Sequence, residues 1–347
     1  MRDVVRVLVL GTGRMGSGVA RLVCEKQGLE LTGAFARRAE RNGLDIGQAI
    51  GLDRDLGSSI ATDLDAAIAY SQPDIAIQTT CSRIEDAMDE ITTLVGAGVH
   101  VISIAEELAY PACRSAQAAD ELQRLAVANG VSILGTGINP GFVLDTLIVT
   151  LTGVCADVES ISATRINDLS GYGPSVLKSQ GVGLSEKAFR QGVDDGSVVG
   201  HIGFPESICL IAAALGWEIE RIEETREAIV SRVRRQTALV TIEPGQTAGC
   251  LHKAVAYRQD NAVIMLEHPQ QVRPDLEGVE TSDTIEIKGT PDIRIVSSPE
   301  LPGDVGTIAI AVNVIPHVLN ASPGLHTMLD LPVSGALLGD AREFIAP

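Results

Sequence analysis

Three glycines near the start of the chain have the spacing of a loop that holds an anion through its backbone. They stand in Gly11-Thr12-Gly13-Arg14-Met15-Gly16, after a β-branched apolar run at 4–10 and before apolar residues at helical spacing. A strand, tight turn and helix in this order let the backbone approach a pyrophosphate, and the helix start offers N–H groups to the anion. The loop therefore predicts a dinucleotide site at 11–16; a glycine turn of purely structural use is the alternative.

The residues after the second predicted strand indicate which form of the cofactor fits. An acidic residue there would hold the ribose diol of NAD and repel a 2′-phosphate, whereas this chain has Arg37 and Arg38. Guanidinium groups suit a phosphate monoester, and Arg14 in the glycine loop can add a third. We therefore expect NADP, with NAD also usable if the two arginines are only solvated charges that stack on the adenine.

Polar residues also follow three later strands, where the carboxyl ends of a parallel sheet line a ligand crevice. Seven are predicted to flank the nicotinamide ribose and ring: Thr79, Thr80, Cys81, Ser82, Glu106, Glu107 and Asn139. Asn139 can bond the carboxamide, although an Asn before Pro is as often a turn or helix-start device. The glutamate pair has its own alternative, as first-turn carboxylates favoured by a helix dipole.

The elements that must position these residues alternate between strand and helix up to about residue 135. After the strands at 4–10 and 29–35 come helices near 63–70, 83–97 and 111–129 and strands near 73–79, 100–104 and 131–134. Such alternation predicts an N-terminal Rossmann domain with a doubly wound parallel sheet. We place this domain at 1–153.

The pattern changes beyond about residue 155. The sequence predicts a strand at 156–166, a glycine-rich polar segment at 167–203, a helix at 205–215, and strands at 229–242, 248–257, 262–267, 283–287 and 293–298. Short turns between these strands indicate a C-terminal α+β domain, 154–347, with a mostly antiparallel open sheet. A last helix near 303–319 would pack on a sheet face and can close back onto the first domain.

Composition narrows the classes of function. The net charge of -18 disfavours nucleic acid and anionic membranes, and no apolar run approaches ~20 residues. Six scattered cysteines without a CxxC pair indicate free thiols, and with no export signal at the start we expect a cytoplasmic protein. No His, Cys, Asp or Glu spacing suggests a bound metal.

Five stretches together resemble the 2,4-diaminopentanoate dehydrogenases and related native amine dehydrogenases, whose fold is related to dihydrodipicolinate reductase. They are GTGRMG at 11–16, VISIAEELAYP at 101–111, GTGINPGFVLD at 135–145, GHIGFPESI at 200–208 and VNVIPHVLNASPGLHTMLDLP at 312–332. The resemblance implies oxidative deamination of an amine with NAD(P)+, or reductive amination of a carbonyl with ammonia, in a homodimer. It also implies that a glutamate after the fifth strand, Glu106 or Glu107, is the acid/base.

That chemistry favours one carboxylate of the pair. An ammonium group must lose a proton before hydride can leave its carbon, and the resulting iminium needs an activated water. Adjacent residues face different ways, so Glu106 and Glu107 are not expected to act as a dyad. We favour Glu106, which lies nearer the strand end, and leave Glu107 as a capping residue.

Polar residues beyond the first domain are the candidates for substrate recognition. They are Asn167, Tyr172, His201, Glu206 and Asn313. Glu206 follows Pro205 at a predicted helix start, so first-turn stabilisation is its alternative role. Two rival functions stay open: an enzyme for simple aliphatic amines or ketones, which needs no carboxylate donor such as Arg165 or Lys178, and a non-catalytic NADP-binding sensor.

Overall fold

The computed structural model describes residues 4–346, which divide into two compact units. One unit runs to Phe142 and resumes at Pro302, and the other is Val143–Leu301. The sequence-based boundary at 153/154 lies within the second unit. The predicted domains also include residues 1–3 and 347, which lie outside the described residues. No helix formed by residues 4–346 is long and apolar enough to cross a membrane.

The first unit is built on a seven-stranded parallel sheet in the order β15-β6-β5-β4-β1-β2-β3. Its elements are β1 Val5–Leu10, α1 Arg14–Glu25, β2 Leu29–Phe35, α2 Ile46–Ala49, β3 Ile60–Ala61, α3 Leu64–Ser71, β4 Ile75–Gln78, α4 Ile84–Gly96, β5 His100–Ser103, α5 Ala116–Asn129, β6 Ser132–Gly135, α10 Gly303–Asn313, α11 Ile315–Asn320 and β15 Gly324–His326. The predicted Rossmann architecture is confirmed.

Both faces of this sheet are buried, which explains why its central strands are continuous apolar runs. Val7 and Val9 of β1 join a core with α1, α10 and α11, whereas Leu8 and Leu10 join a second core with α4 and α5. Burial on both sides leaves no polar alternation along a strand. Because all the strands are parallel, their carboxyl ends lie at one edge of the sheet.

The C-terminal segment returns to this unit through a close helix contact. A Cβ at Gly18 of α1 would lie 2.2 Å from Ile308 of α10, so the glycine lets the two helices approach. The single helix predicted at 303–319 is divided at Val314, and the chain then adds β15 beside β6. The sequence predicted neither β15 nor β3, because two or three residues carry too little periodic signal.

The second unit carries a six-stranded sheet in the order β14-β13-β7-β12-β11-β8. Its elements are α6 Thr146–Thr152, β7 Asp157–Asp168, α7 Pro174–Ser179, α8 Glu186–Asp194, α9 Phe204–Leu215, β8 Arg221–Val230, β9 Arg235–Gln236, β10 Thr241–Ile242, β11 Thr247–Arg258, β12 Asn261–Gln271, β13 Ser282–Thr290 and β14 Ile293–Ser297. Only β12 and β7 pair in parallel, so the prediction of a mostly antiparallel sheet is confirmed.

Two local predictions in this unit are wrong. The polar segment 167–203 contains helices α7 and α8, and the first strand after α9 is Arg221–Val230 rather than 229–242. β8 is an edge strand with an exposed face, so charged residues at alternate positions lower its apparent hydrophobicity. The helices are short and have glycines close to their ends, which conceals their periodicity.

The cysteine prediction is wrong for two residues. Cys24, Cys81, Cys155 and Cys250 are free thiols, as expected. Cys113 and Cys209 each take part in a disulfide and are not free thiols.

A row of polar side chains crosses the buried face of the second sheet. His252 of β11 stands opposite Arg226 of β8 and His268 of β12, and Arg165 of β7 stands opposite Asp283 of β13. Arg165 and Asp283, 2% and 5% exposed, form an ion pair with Nη1 2.6 Å from Oδ1. Charges this deeply buried must be paired, and this pair joins β7 to β13.

The buried histidines predict an acid-labile second unit. Burial lowers the pKa of His252 to about 2, and the charge of Arg226 acts in the same direction. A histidine in the unfolded chain has a pKa of about 6.5, so below that pH the unfolded state binds more protons and the free energy of unfolding falls. His252→Asn, which keeps an acceptor, should make this decline shallower by up to ~1.4 kcal/mol per pH unit.

Denaturant unfolding between pH about 6 and about 4 measures the effect. His326→Asn, in the other unit, is the matched control and should follow the wild-type slope. Parallel curves for wild type and His252→Asn would contradict the assignment of His252 as a group buried in its neutral form.

Candidate functional site

The glycine turn after β1 is shaped by three close approaches of the backbone. Gly11 has φ +101°, and a Cβ there would lie 2.5 Å from Thr79 Oγ1. A Cβ at Gly16 would lie 1.9 Å from the Gly11 carbonyl oxygen, whereas one at Gly13 would meet no protein atom within 4 Å. The first and third glycines therefore pack the turn together, and the second leaves space for a ligand above the start of α1.

One cleft joins this turn to the ends of β2 and β4. Its lining residues are Gly11, Thr12, Gly13, Ala36, Arg37, Arg38, Arg41, Thr79 and Thr80. Arg41, which the sequence analysis did not single out, belongs to the one-turn helix Ala39–Arg41 that Arg38 precedes. The spacing Arg38-x-x-Arg41 is the signal that was missed, since residues three apart share one side of such a turn.

Two of the three arginines expected at the cofactor phosphate pair with carboxylates of the protein. Arg37 Nε donates to Glu90 Oε1 at 2.7 Å, and Arg14 Nη2 lies 2.5 Å from Asp304 Oδ2. The hydrogen bond to Glu90 raises the pKa of Arg37. Arg37 therefore brings a neutralised charge to the cleft, and Arg38 and Arg41 are the better candidates for binding an added anionic group.

Glu90 is the centre of a buried hydrogen-bond network at this edge of the sheet. Its Oε2 accepts hydrogen bonds from Thr80 Oγ1 and from Gln78 Nε2, the latter at 3.2 Å. Gln78 Oε1 in turn accepts the hydroxyl proton of Ser103 at the end of β5. The network connects the residues that follow β2 with the ends of β4 and β5.

The remaining residues predicted after β4 have structural partners. Thr79 Oγ1 donates to the Leu10 carbonyl at 2.7 Å, and Gln78 Nε2 lies 3.0 Å from Cys81 Sγ. Burial raises the pKa of the Cys81 thiol. The Ser82 carbonyl accepts the N–H of Glu107 at 3.2 Å. The residues after β4 are thus held by hydrogen bonds within the protein, and two of them, Thr79 and Thr80, line the cleft.

The two adjacent glutamates have different surroundings. Both lie in a helical turn, Glu106–Ala109, directly after β5. Glu107 is 8% exposed, and its Oε2 accepts the N–H of Ile84, the first residue of α4, at 2.9 Å. Glu106 is half-buried and precedes it on the strand side. Glu107 therefore caps a helix.

The loop after β6 presents polar atoms that the protein leaves without partners. Asn139 Nδ2 and Oδ1 and Thr136 Oγ1 are buried and make no hydrogen bond with the residues that the structure describes. A buried amide without partners is costly, so such a group is expected to meet a ligand or water. An amide of this kind fits the carboxamide of a nicotinamide. With the open space at Gly13 and the arginines, the residues fit a nicotinamide dinucleotide.

In the second unit, three neutral imidazoles lie close together. His201 and His268 have ring centroids 4.9 Å apart, and Phe204 lies 4.8 Å from His201 and 4.9 Å from His252. Burial, then the nearby Arg165, lowers the pKa of His201 to about 3. Burial also lowers the pKa of His268, with His201 and Arg165 adding to it. The Nε2 atoms of all three rings are buried without a hydrogen-bond partner among the described residues.

Some of the predicted substrate residues lie in the same unit as the histidine cluster (His201, His252 and His268), and one belongs to the other unit. Asn167 is opposite Gln270, which approaches the His268 ring, and Asn167 Nδ2 lies 3.5 Å from the Tyr172 hydroxyl. Glu206 is fully buried in the first turn of α9. Asn313 belongs to the first unit, where its Oδ1 accepts the N–H of Leu337 at 3.0 Å.

His252 and His268 were not predicted as site residues. They are opposite each other across the hairpin of β11 and β12, whose turn is at Gln259 and Asp260. Counting outward from that turn would have paired His252 with Glu267, because the bulge between Ala256 and Tyr257 shifts the register by one residue. Arg165, considered as a carboxylate donor, is already held by Asp283 and the Leu301 carbonyl. Among residues 4–346 no group of three or more His, Cys, Asp or Glu side chains could hold a metal ion.

Comparisons with known proteins place the chain in a family. Residues 142–347 match the C-terminal domain of 2,4-diaminopentanoate dehydrogenase, and residues 5–103 match the N-terminus of dihydrodipicolinate reductase. The chain is 42% identical to a 2,4-diaminopentanoate dehydrogenase from Acetoanaerobium sticklandii over 344 residues, 99% of this chain and 97% of that protein. It is 24% identical to an amine dehydrogenase from Streptomyces virginiae over 96% of this chain and 98% of that protein.

A solved structure agrees with these similarities. The amine dehydrogenase from Mycobacterium smegmatis superposes with a TM-score of 0.85 at 25% identity, covering 96% of this chain and 97% of that one. Identity over nearly the whole length, the glycine turn and the strand-end glutamates all point the same way. The chain belongs to the 2,4-diaminopentanoate dehydrogenase family of oxidoreductases.

Proposed function

We propose that the chain is an NADP(H)-dependent amine dehydrogenase that deaminates 2,4-diaminopentanoate or a similar short amine, and that also aminates the matching carbonyl with ammonia. The observation that carries this proposal is the division of roles between the adjacent glutamates. Glu107 caps α4, and we assign proton transfer to Glu106, which precedes it directly after β5. The substrate named for the 42% identical relative supports the choice of amine.

Glu106 would serve three steps of the reaction. As a carboxylate it accepts the proton that the substrate ammonium must lose. Its negative charge also stabilises the positive charge that develops on the carbon–nitrogen group as hydride leaves. It then activates the water that hydrolyses the iminium, and in the reverse direction it returns these protons. The nicotinamide, when bound, accepts or supplies the hydride.

The cleft supports NADP over NAD. Arg38 and Arg41 line it, and residues 36–41 contain no acidic side chain except Glu40. Because Glu90 already neutralises Arg37, we assign the 2′-phosphate mainly to Arg38 and Arg41. Asn139 would hold the carboxamide.

The second unit supports a substrate with an acidic group. His268 Nδ1 approaches the Gln270 amide, so the ring can present an N–H at Nε2. Burial and the charge of Arg165 disfavour a cation beside these rings, as the lowered pKa values of His201 and His268 show. Neutral N–H donors favour an anionic acceptor such as a carboxylate. We therefore favour an amino-acid-like substrate over a simple aliphatic amine.

We also propose that two chains associate through the outer face of the second sheet, in the cytoplasm. This face carries Leu251, Val255 and Met265 of β11 and β12, all half-buried, beside the ion pair of Lys253 and Glu267. Apolar side chains on an open sheet face favour burial against a partner, and a twofold pair is the commonest arrangement.

The decisive experiment follows NADPH oxidation at roughly 340 nm with ammonia and a panel of 2-amino-4-oxopentanoate, short ketones and aldehydes. We expect ammonia-dependent turnover that Glu106→Gln lowers by ~10²-fold to ~10⁴-fold, because the variant has no base. Glu107→Gln is the matched control and should reduce stability more than turnover. Ammonia-independent reduction would contradict the amine assignment, and tight NADPH binding without any turnover would indicate a sensor.

Cofactor choice has its own test. Arg41→Ala and Arg38→Ala should each lower kcat/KM for NADPH by ~10-fold to ~100-fold, the value of a charge-assisted hydrogen bond, and change the NADH value little. Arg124→Ala, on the exposed side of α5, is the control. Equal losses with NADPH and NADH would show that these arginines do not contact the 2′-phosphate.

A further inference from the structure

The segment that carries His201 is held by three side chains from three different elements. Gln180 Nε2, just after α7, donates to the Gly200 carbonyl at 2.8 Å, and Arg226 Nε of β8 donates to the Val199 carbonyl at 2.7 Å. His252 Nδ1 of β11 accepts the N–H of His201 at 3.0 Å. Two neighbouring peptide groups, 199–200 and 200–201, are therefore tied to the body of the second unit.

The bond to His252 also defines the protonation of that ring. A backbone N–H can only donate, so Nδ1 must be the unprotonated nitrogen and the hydrogen lies on Nε2. His252 is fully buried, and its Nε2 lies 3.9 Å from Glu224 Oε2, which itself binds Arg226. A protonated His252 could not accept the His201 N–H.

The backbone around His201 has a shape that requires glycine on both sides. Gly200 has φ +70° and Gly203 has φ +117°. A Cβ at Gly200 would lie 3.0 Å from His252 Nδ1, so the segment passes close to that ring. The left-handed residues turn the chain so that the His201 side chain points between Phe204 and His268.

We infer that His252, together with Gln180 and Arg226, positions the His201 ring to bind the acidic group of the substrate. These three are positioning residues whose polar contacts go to the backbone of 199–201. The inference rests on the proposed function for the identity of the substrate. It adds that specificity depends on a rigid peptide segment, since a ring on a mobile loop would lose the ordering entropy on each binding event.

The test is a double-mutant cycle on ammonia-dependent turnover of 2-amino-4-oxopentanoate. His252→Leu should raise KM for this substrate by ~3-fold to ~10-fold, as expected for one lost hydrogen bond, with a smaller change in kcat and in the KM for NADPH. His252→Asn keeps an acceptor at Oδ1 and should recover most of the loss. In a His201→Ala background, His252→Leu should have no further effect on KM, because its role acts through that ring.

Additive effects of His201→Ala and His252→Leu, or an equal rise in the KM for NADPH, would overturn the inference. Gln180→Met, which removes the donor to Gly200, repeats the cycle if His252→Leu does not fold. Its effect on KM should likewise vanish in the His201→Ala background, and an additive effect rejects the positioning role.

Hydrogen exchange of the 199–203 amides separates this inference from the proposed function. Exchange at the His201 amide should be faster in His252→Leu by ~3-fold to ~10-fold and return toward wild type in His252→Asn. Unchanged exchange overturns the inference even if the wild type aminates its substrate. If the His201 amide exchanges faster in His252→Leu but the wild type shows no ammonia-dependent turnover, the positioning role is supported and the amine chemistry is rejected.

Discussion

The hydrogen bonds and ion pair of the buried Glu90 carboxylate hold the edge of the first sheet at which the strands end. Glu90 is 7% exposed, and burial of a charge at this depth is tolerated only with a charged partner and further donors. Arg37 supplies the charge, and Thr80 and Gln78 supply the donors. Arg37 follows β2, Gln78 is the last residue of β4, and Thr80 follows β4. Gln78 also bonds Ser103 at the end of β5, so the network connects the ends of three strands.

Several other polar residues at this edge are already hydrogen-bonded within the protein. Thr79, Cys81 and Ser82 have structural partners, and Glu107 caps α4, the helix that carries Glu90. Their satisfaction by protein contacts leaves a small set of groups for the ligand. Asn139 and Thr136, buried without partners in the described part of the chain, stand out for that reason.

The polar groups around the histidine cluster of the second unit carry little net charge. Arg165 is paired with Asp283 and Arg226 with Glu224, so the histidines lie among neutralised arginines and remain uncharged themselves. Neutral imidazoles are directional donors whose desolvation costs less than that of a lysine. This arrangement suits recognition of an acidic group, and it requires each ring to be placed by its neighbours.

By itself the sequence determined the parallel sheet, the glycine turn and the strand-end position of the glutamate pair. These features depend on local periodicity and on residues within a few positions of one another. It did not reveal β15, the helices within 167–203, Arg41 at the cleft, or the meeting of His201, His252 and His268. Tertiary structure alone decided that Arg14 and Arg37 are paired and that the N–H bound by Glu107 is that of Ile84, because these partners are distant in sequence. A side chain's role depends on which atoms remain without a partner after folding, and no local pattern records that.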